Sequence, residues 1–387
     1  MKNKSIFTIY FTVFLDIMGF GIIIPLLPFL AKDFGANEIV ITSLISSNAL
    51  AQFIFNPIWG RISDKYGRKP VIAITVLGSC FAYLMFGFSN SILMLFFSRL
   101  LSGIAGATIG VAQSYVSEIT TKDERSKVLS HLSASFSLGF IFGPIICSFL
   151  IPFGYKIPSI FASLLSVINF IMVILYLPES NNFYKETNNK KFDFEKFKQT
   201  IYEKEMMILL IIQFISTFSM SNLFSTSPLL FHDKFNFDAQ KNSYVFVYFG
   251  ICTSIIQGFI VGKLSKRYDE IKLILISCFL ISIGMISFSY ASNILTTLFF
   301  VTIIFLGNSI INPCLTSLFS KKANKEQLGV ILGSSQSLGS FARVLGPLWG
   351  GYVYYMINYH YPYISASIAS LIGFLLVFTT IKKANIF

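Results

Sequence analysis

Long apolar runs separated by short polar stretches pattern this chain from end to end. A bilayer-crossing helix needs roughly 20 mostly apolar residues. On that rule twelve runs are long enough: Ile6–Leu30, Val40–Trp59, Val71–Phe88, Ile92–Ser117, Ser126–Ile151, Ile157–Leu177, Met206–Leu230, Ser243–Leu264, Ile271–Tyr290, Ile294–Phe319, Leu328–Met356 and Tyr361–Ile381. The longest polar stretch, 178–205, divides them into six and six. The pattern predicts an all-α membrane protein: an N-terminal six-helix bundle over 1–177, a cytoplasmic central loop over 178–205, and a C-terminal six-helix bundle over 206–387. Inside the central loop Phe194, Phe197 and Ile201 fall at helical spacing among Lys and Glu, which fits a short interfacial helix or a solvated linker equally well.

The halves repeat weakly. Gly262-Lys263-Leu264-Ser265-Lys266-Arg267-Tyr268 echoes Gly60-Arg61-Ile62-Ser63-Asp64-Lys65-Tyr66, and Ser337-Leu338-Gly339 echoes Ser137-Leu138-Gly139. Each triplet runs on to a Gly-Pro, Gly143-Pro144 and Gly346-Pro347. Two pseudo-symmetric halves suit a transporter in which one half rocks against the other.

Composition removes the soluble alternative. Charged residues make up only 12% of the chain and hydrophobic ones 54%, against about 25% charged in ordinary soluble domains. Cys80, Cys147, Cys252, Cys278 and Cys314 lie inside apolar runs without CxxC or His-bracketed spacing, so neither a disulfide framework nor a metal site is expected. Met1-Lys2-Asn3-Lys4 has the charge of a signal-peptide start, but the apolar run behind it is too long and contains Asp16, so it counts as the first span.

The net charge of +12 is a topological signal rather than a nucleic-acid footprint. Arg99 and Arg343 lie within spans, and Lys32, Lys156, Lys234 and Lys241 fall on one side of the membrane. All other basic residues fall on the opposite side, which places both termini in the cytoplasm.

The densest charge sits in Gly60-Arg61-Ile62-Ser63-Asp64-Lys65-Tyr66-Gly67-Arg68-Lys69, read as a tight loop between the second and third spans. Gly60, Asp64, Lys65, Gly67, Arg68 and Lys69 match every fixed position of the G-x-x-x-D-[RK]-x-G-R-[RK] loop signature, and the chain resembles the major facilitator superfamily. Over most of the N-terminal half it is similar to the drug:proton antiporters, especially the tetracycline-efflux branch. That likeness rests on Leu15-Asp16-Ile17-Met18-Gly19-Phe20-Gly21-Ile22-Ile23-Ile24-Pro25-Leu26-Leu27-Pro28, on Arg99-Leu100-Leu101-Ser102-Gly103-Ile104-Ala105-Gly106-Ala107, and on Ala134 through Pro144. The last contains Gly139, Gly143 and Pro144 and looks like the antiporter glycine-proline signature.

The resemblance implies a secondary transporter that exports small amphipathic or lipophilic compounds against protons, by alternating access, as a monomer in the plasma (inner) membrane. It implies no cofactor beyond the proton gradient, and small-molecule substrate, protons and lipid as partners. Uptake or facilitated transport of a metabolite is the alternative use of the same fold. Two acids of the tetracycline exporters are missing: the third span reads Phe81-Ala82-Tyr83-Leu84, and 271–290 holds no carboxylate. The resemblance therefore leaves tetracycline itself open.

Asp16 is the one carboxylate placed deep in a span. Ten residues from Ile6 at 1.5 Å each put it about 15 Å in, near the midplane. A charge there costs about 2.5–3.5 kcal/mol or more, and such residues usually serve function. By resemblance Asp16 is a coupling or substrate-cation acid and Arg99 has a role in proton exchange; Arg343, near the middle of its span, is expected to face the cavity or an acid, and one of the two arginines is expected to pair with Asp16. The packing alternatives are a carboxylate locked structurally to a neighbour and an Arg99 that snorkels outward.

By resemblance spans 1, 4, 7 and 10 line the cavity, so Gln113, Asn222 and Asn308 become candidate substrate contacts, with Phe20 and Phe224 as rings for a lipophilic cation. The competing reading for each is interhelical packing. Gly139, Gly143 and Pro144 fit close helix approach with a bend. Resemblance also makes the 60–69 loop a gate, with Asp64 meeting the amino-terminal end of span eleven. Its copy has Lys266 and Asp269 where Asp64 and Gly67 stand, so the latch is one-sided. No catalytic constellation appears, and no enzyme is expected.

Overall fold

The protein is described from a computed structural model over residues 2–180, 204–322 and 328–383. The interfacial helix considered around Phe194, Phe197 and Ile201 lies outside these residues. Twelve helical spans follow one another: α1 (Lys4–Asp33), α2 (Glu38–Tyr66), α3 (Arg68–Gly87), α4 (Ile92–Ile119), α5 (Lys127–Phe153), α6 (Lys156–Tyr176), α7 (Glu205–Phe235), α8 (Ala239–Arg267), α9 (Glu270–Tyr290), α10 (Ile294–Lys322), α11 (Leu328–Met356) and α12 (Tyr361–Thr379). Among the described residues, eleven of these helices are long and apolar enough to cross a membrane. The other, α11, is diluted by glycines and serines and carries Arg343.

The stretch expected to form a loop over 60–69 is mostly helix. α2 continues unbroken through Tyr66, and α3 starts at Arg68, leaving Gly67 as the turn. Gly67 has φ 103°, a conformation that an L side chain rarely adopts. Gly60, read as the other hinge, is an ordinary helical residue with nothing within 4 Å of where a Cβ would stand. Charged residues mark where the chain leaves the bilayer, but Ser, Asp and Lys do not break a helix that continues into water.

Two spans are broken within their length: α1 at residues 24–26 and α4 at residues 105–107. The α4 break lies where the helix packs closely on its neighbours. A Cβ on Gly103 would stand 2.4 Å from the Asn48 carbonyl oxygen of α2, one on Gly106 would stand 2.7 Å from Gln52 Nε2, and one on Gly78 of α3 would meet Ala105 Cβ at 3.0 Å. Small residues therefore draw α4 against both neighbours.

The chain divides into two compact units, residues 1–189 with 231–250, and residues 190–230 with 251–387. In the first, α1 is central. Ile9, Val13 and Ile17 pack with Val71, Ile72 and Val76 of α3, Val111, Ala112, Tyr115 and Val116 of α4, and Val173 of α6. α6 shows how such a helix is sided: Leu164, Ile168, Ile171 and Leu175 are exposed, whereas Ala162, Ser166, Asn169 and Val173 are buried. Apolar side chains turned outward and small or polar ones turned inward suit a lipid surround. Segment 231–250 is held in this unit by Lys32, which pairs with Asp233 at 3.0 Å, and by Gln240, which donates to the Ser148 carbonyl.

In the second unit α11 packs against α7. A Cβ on Gly346 would lie 2.8 Å from Ser221 Cβ and 2.9 Å from the Phe218 carbonyl oxygen. The first unit repeats this pairing with α5 and α1, where Cβ atoms on Gly139 and Gly143 would lie 2.7 Å from the Phe14 carbonyl oxygen and 2.6 Å from that of Met18.

Candidate functional site

Asp16 projects from the middle of α1 into a group of hydroxyls. The Ser79 hydroxyl of α3 and the Thr108 hydroxyl of α4 reach its carboxyl, and Thr108 Oγ1 lies 3.2 Å from Thr75 Oγ1. Thr108 opens the second segment of α4, the first residue after the 105–107 break. The amino-terminal end of a helical segment, with its exposed N–H groups and dipole, thus lies beside the carboxyl. Discontinuous helices near the midplane are a recurrent way to build ion and substrate sites in transporters.

No ion pair neutralises Asp16 among the described residues. Arg99, one of its expected partners, is buried to 2% exposure and does not snorkel. Its guanidinium lies over the Phe86 ring, 4.8 Å from the centroid. Its Nε and Nη2 atoms have no hydrogen-bond partner among the described residues. Gly103, one turn on, approaches α2, and Asn48 Nδ2 of α2 donates to the Arg99 carbonyl at 3.2 Å. Arg343, in the second unit, donates from Nη2 to Ser340 Oγ at 2.9 Å.

The cavity candidates differ in setting. Gln113 is exposed, while Phe20, Asn308 and Phe224 are half-buried, with Phe224 edge-on to Phe305. Asn222 is fully buried, donates from Nδ2 to the Pro362 carbonyl at 3.0 Å, and presses its Oδ1 towards Gly350. Its Nδ2 thus ties α7 to α12, while its Oδ1 has no hydrogen-bond partner among the described residues. In the second unit Gln213 of α7 reaches Asn312 of α10 at 3.3 Å and Thr217 at 3.1 Å.

A second charged cluster lies at the end of α2. Arg68 donates from Nε and Nη2 to Glu118 Oε1 at 2.9 and 2.6 Å, and its Nη2 pairs with Asp64 at 2.6 Å. Glu179 Oε1 accepts from the Arg68 backbone N–H at 2.7 Å and from that of Lys69 at 3.3 Å, capping α3 where Gly67 offers no side chain. Lys69 Nζ donates to the Ile174 carbonyl, and Lys65 lies over its neighbour Tyr66. Sequence reasoning missed Glu118 and Glu179. Their only signal was a single acid at the end of a span.

A many-spanned helical protein with an uncompensated carboxyl at a helix break, and small residues joining paired helices in each unit, belongs to the class of membrane transporters. The model of the Major Facilitator Superfamily matches residues 9–347, and the chain belongs to that superfamily. It is 30% identical over 392 residues to Multidrug resistance protein 2 of Bacillus subtilis (strain 168), covering 99% of this chain and 97% of the relative. It is 32% identical over 353 residues to the class B Tetracycline resistance protein of Escherichia coli, covering 88% and 86%. The fold matches the crystal structure of a bacterial homolog of the human lysosomal transporter Spinster with a TM-score of 0.81, at 12% identity, over 98% of each chain. The protein is a multi-pass integral membrane transporter, not an enzyme.

Proposed function

We propose that this transporter exports small amphipathic or lipophilic compounds in exchange for protons, with Asp16 as the coupling acid. It works by alternating access in the plasma membrane, with both termini cytoplasmic and residues 1–177 and 206–387 as the two moving bodies, a motion in which the contacts of 231–250 with Lys32 and Ser148 must break. The observation that carries the reading is the pairing of Asp16 with hydroxyls and no cation. A hydroxyl can donate to a carboxylate or accept from a carboxylic acid, so Ser79 and Thr108 can satisfy either protonation state. A guanidinium partner would favour the charged form alone. The multidrug and tetracycline resistance relatives support export as the direction.

The test is flux in proteoliposomes with an imposed pH gradient and ethidium as a lipophilic cationic probe. Gradient-driven accumulation by the wild type, lost in Asp16→Asn while exchange without a gradient persists, is the expected result. Ethidium flux indifferent to the gradient in the wild type overturns proton coupling and leaves facilitated transport.

A further inference from the structure

Tyr83 is a buried polar residue that the mechanism above does not use. It is 2% exposed and lies on α3 one turn after Ser79 and three residues before Phe86. These three side chains form a stripe along α3. Ser79 reaches Asp16, and the Phe86 ring carries the Arg99 guanidinium. Tyr83 lies between them in sequence, and its ring packs on Gly19, one turn after Asp16 on α1. A Cβ at Gly19 would stand 2.9 Å from Tyr83 Cε2 and 3.4 Å from its hydroxyl oxygen. The glycine leaves room for the phenol beside the acid.

Gly19 thus sets the Tyr83 hydroxyl one turn from Asp16 along α1, and Phe86, one turn on from Tyr83 along α3, carries the Arg99 guanidinium. No ion pair joins those two charges among the described residues, and two nitrogens of Arg99 are buried without a partner. A buried guanidinium left in this condition is costly unless an acceptor is available to it. A phenol is both donor and acceptor, and hydrogen bonds to ionised groups are the strong ones.

We propose that Tyr83 is a positioning residue that couples the protonation of Asp16 to the Arg99 guanidinium. Its hydroxyl donates to the ionised Asp16 carboxylate. When Asp16 takes up a proton from hydronium, leaving neutral water, the charge that holds the phenol is lost, and the phenol oxygen turns to accept from the unpartnered nitrogens of Arg99. Hydrogen bonds alone change, and the proton stays on Asp16. This rests on the reading of Asp16 as the coupling acid.

The experiment needs no substrate. The carboxyl C=O stretch of purified protein is followed against pH by infrared difference spectroscopy, and the Asp16 band is identified by its loss in Asp16→Asn. Tyr83→Phe keeps the ring against Gly19 and removes only the oxygen. The expected result is a midpoint displaced by about half a pH unit or more, since a hydrogen bond to the charged form is lost. A second arm compares Arg99→Gln in the wild-type and Tyr83→Phe backgrounds, where the displacement by Arg99→Gln should shrink without the phenol. Superimposable Tyr83→Phe and wild-type titrations overturn the assignment, as do strictly additive displacements. A wild type with no Asp16 band that titrates removes instead the reading of Asp16 on which the assignment rests.

Discussion

Arg68 binds Glu118 through two of its nitrogens, at 2.9 and 2.6 Å, with both side chains largely withdrawn from solvent at 12% and 24% exposure. The pair ties the start of α3 to the end of α4. Asp64, also paired with Arg68, is 64% exposed. Exposed pairs contribute about 0–1 kcal/mol, whereas hydrogen bonds to charged groups away from water contribute about 1.5–3 kcal/mol. The two acids on one arginine therefore differ in kind.

Glu118→Gln should lower stability by about 1–3 kcal/mol, read as an earlier thermal transition in detergent. Asp64→Asn should move that transition little. Equal shifts in the two variants would show that burial does not rank them.

If the charged α2–α3 turn gates the cycle, Asp64→Asn should slow transport while leaving substrate affinity near wild type. Turnover measured beside equilibrium binding of the same probe decides it. Unchanged turnover would refute the gating role.

The glycines separate along the same lines of physical cause. Gly143→Ala places a methyl group 2.6 Å from the Met18 carbonyl oxygen, and overpacking of this sort costs about 1–3 kcal/mol. Gly60→Ala meets nothing within 4 Å, and the better helix propensity of alanine should stabilise by up to about 1 kcal/mol. Thermal unfolding of the two variants should shift in opposite directions, although both glycines belong to family signatures.

Gly67→Ala should behave unlike Gly60→Ala. The φ of 103° and ψ of 157° at Gly67 lie in a region essentially confined to glycine and strain any L residue by about 1–3 kcal/mol, so a clear loss of stability is expected. A neutral outcome would mean that the turn relaxes to another conformation.

The apolar pattern made the spans legible because a bilayer requires long uninterrupted runs and imposes little else. It misread 60–69 as a loop because charge reports where the chain meets water, whereas only Gly67 reports where the helix stops. Asp16 stood out as the one acid in its surroundings. Ser79 and Thr108 did not, since hydroxyls are common within membrane helices and these two converge only through the packing of α3 and α4 on α1. Two arginines within spans offered themselves as partners for Asp16, and charge alone could not show that the Arg99 guanidinium lies over the Phe86 ring.

Gly143 against Met18 and Gly346 against Phe218 are contacts that reach main-chain carbonyls. A contact of that kind constrains what a residue lacks rather than what it carries. The residues that follow can therefore differ between the two junctions, Cys147-Ser148 in one and Gly350-Gly351 in the other. What the two helix pairs share is a row of absent atoms.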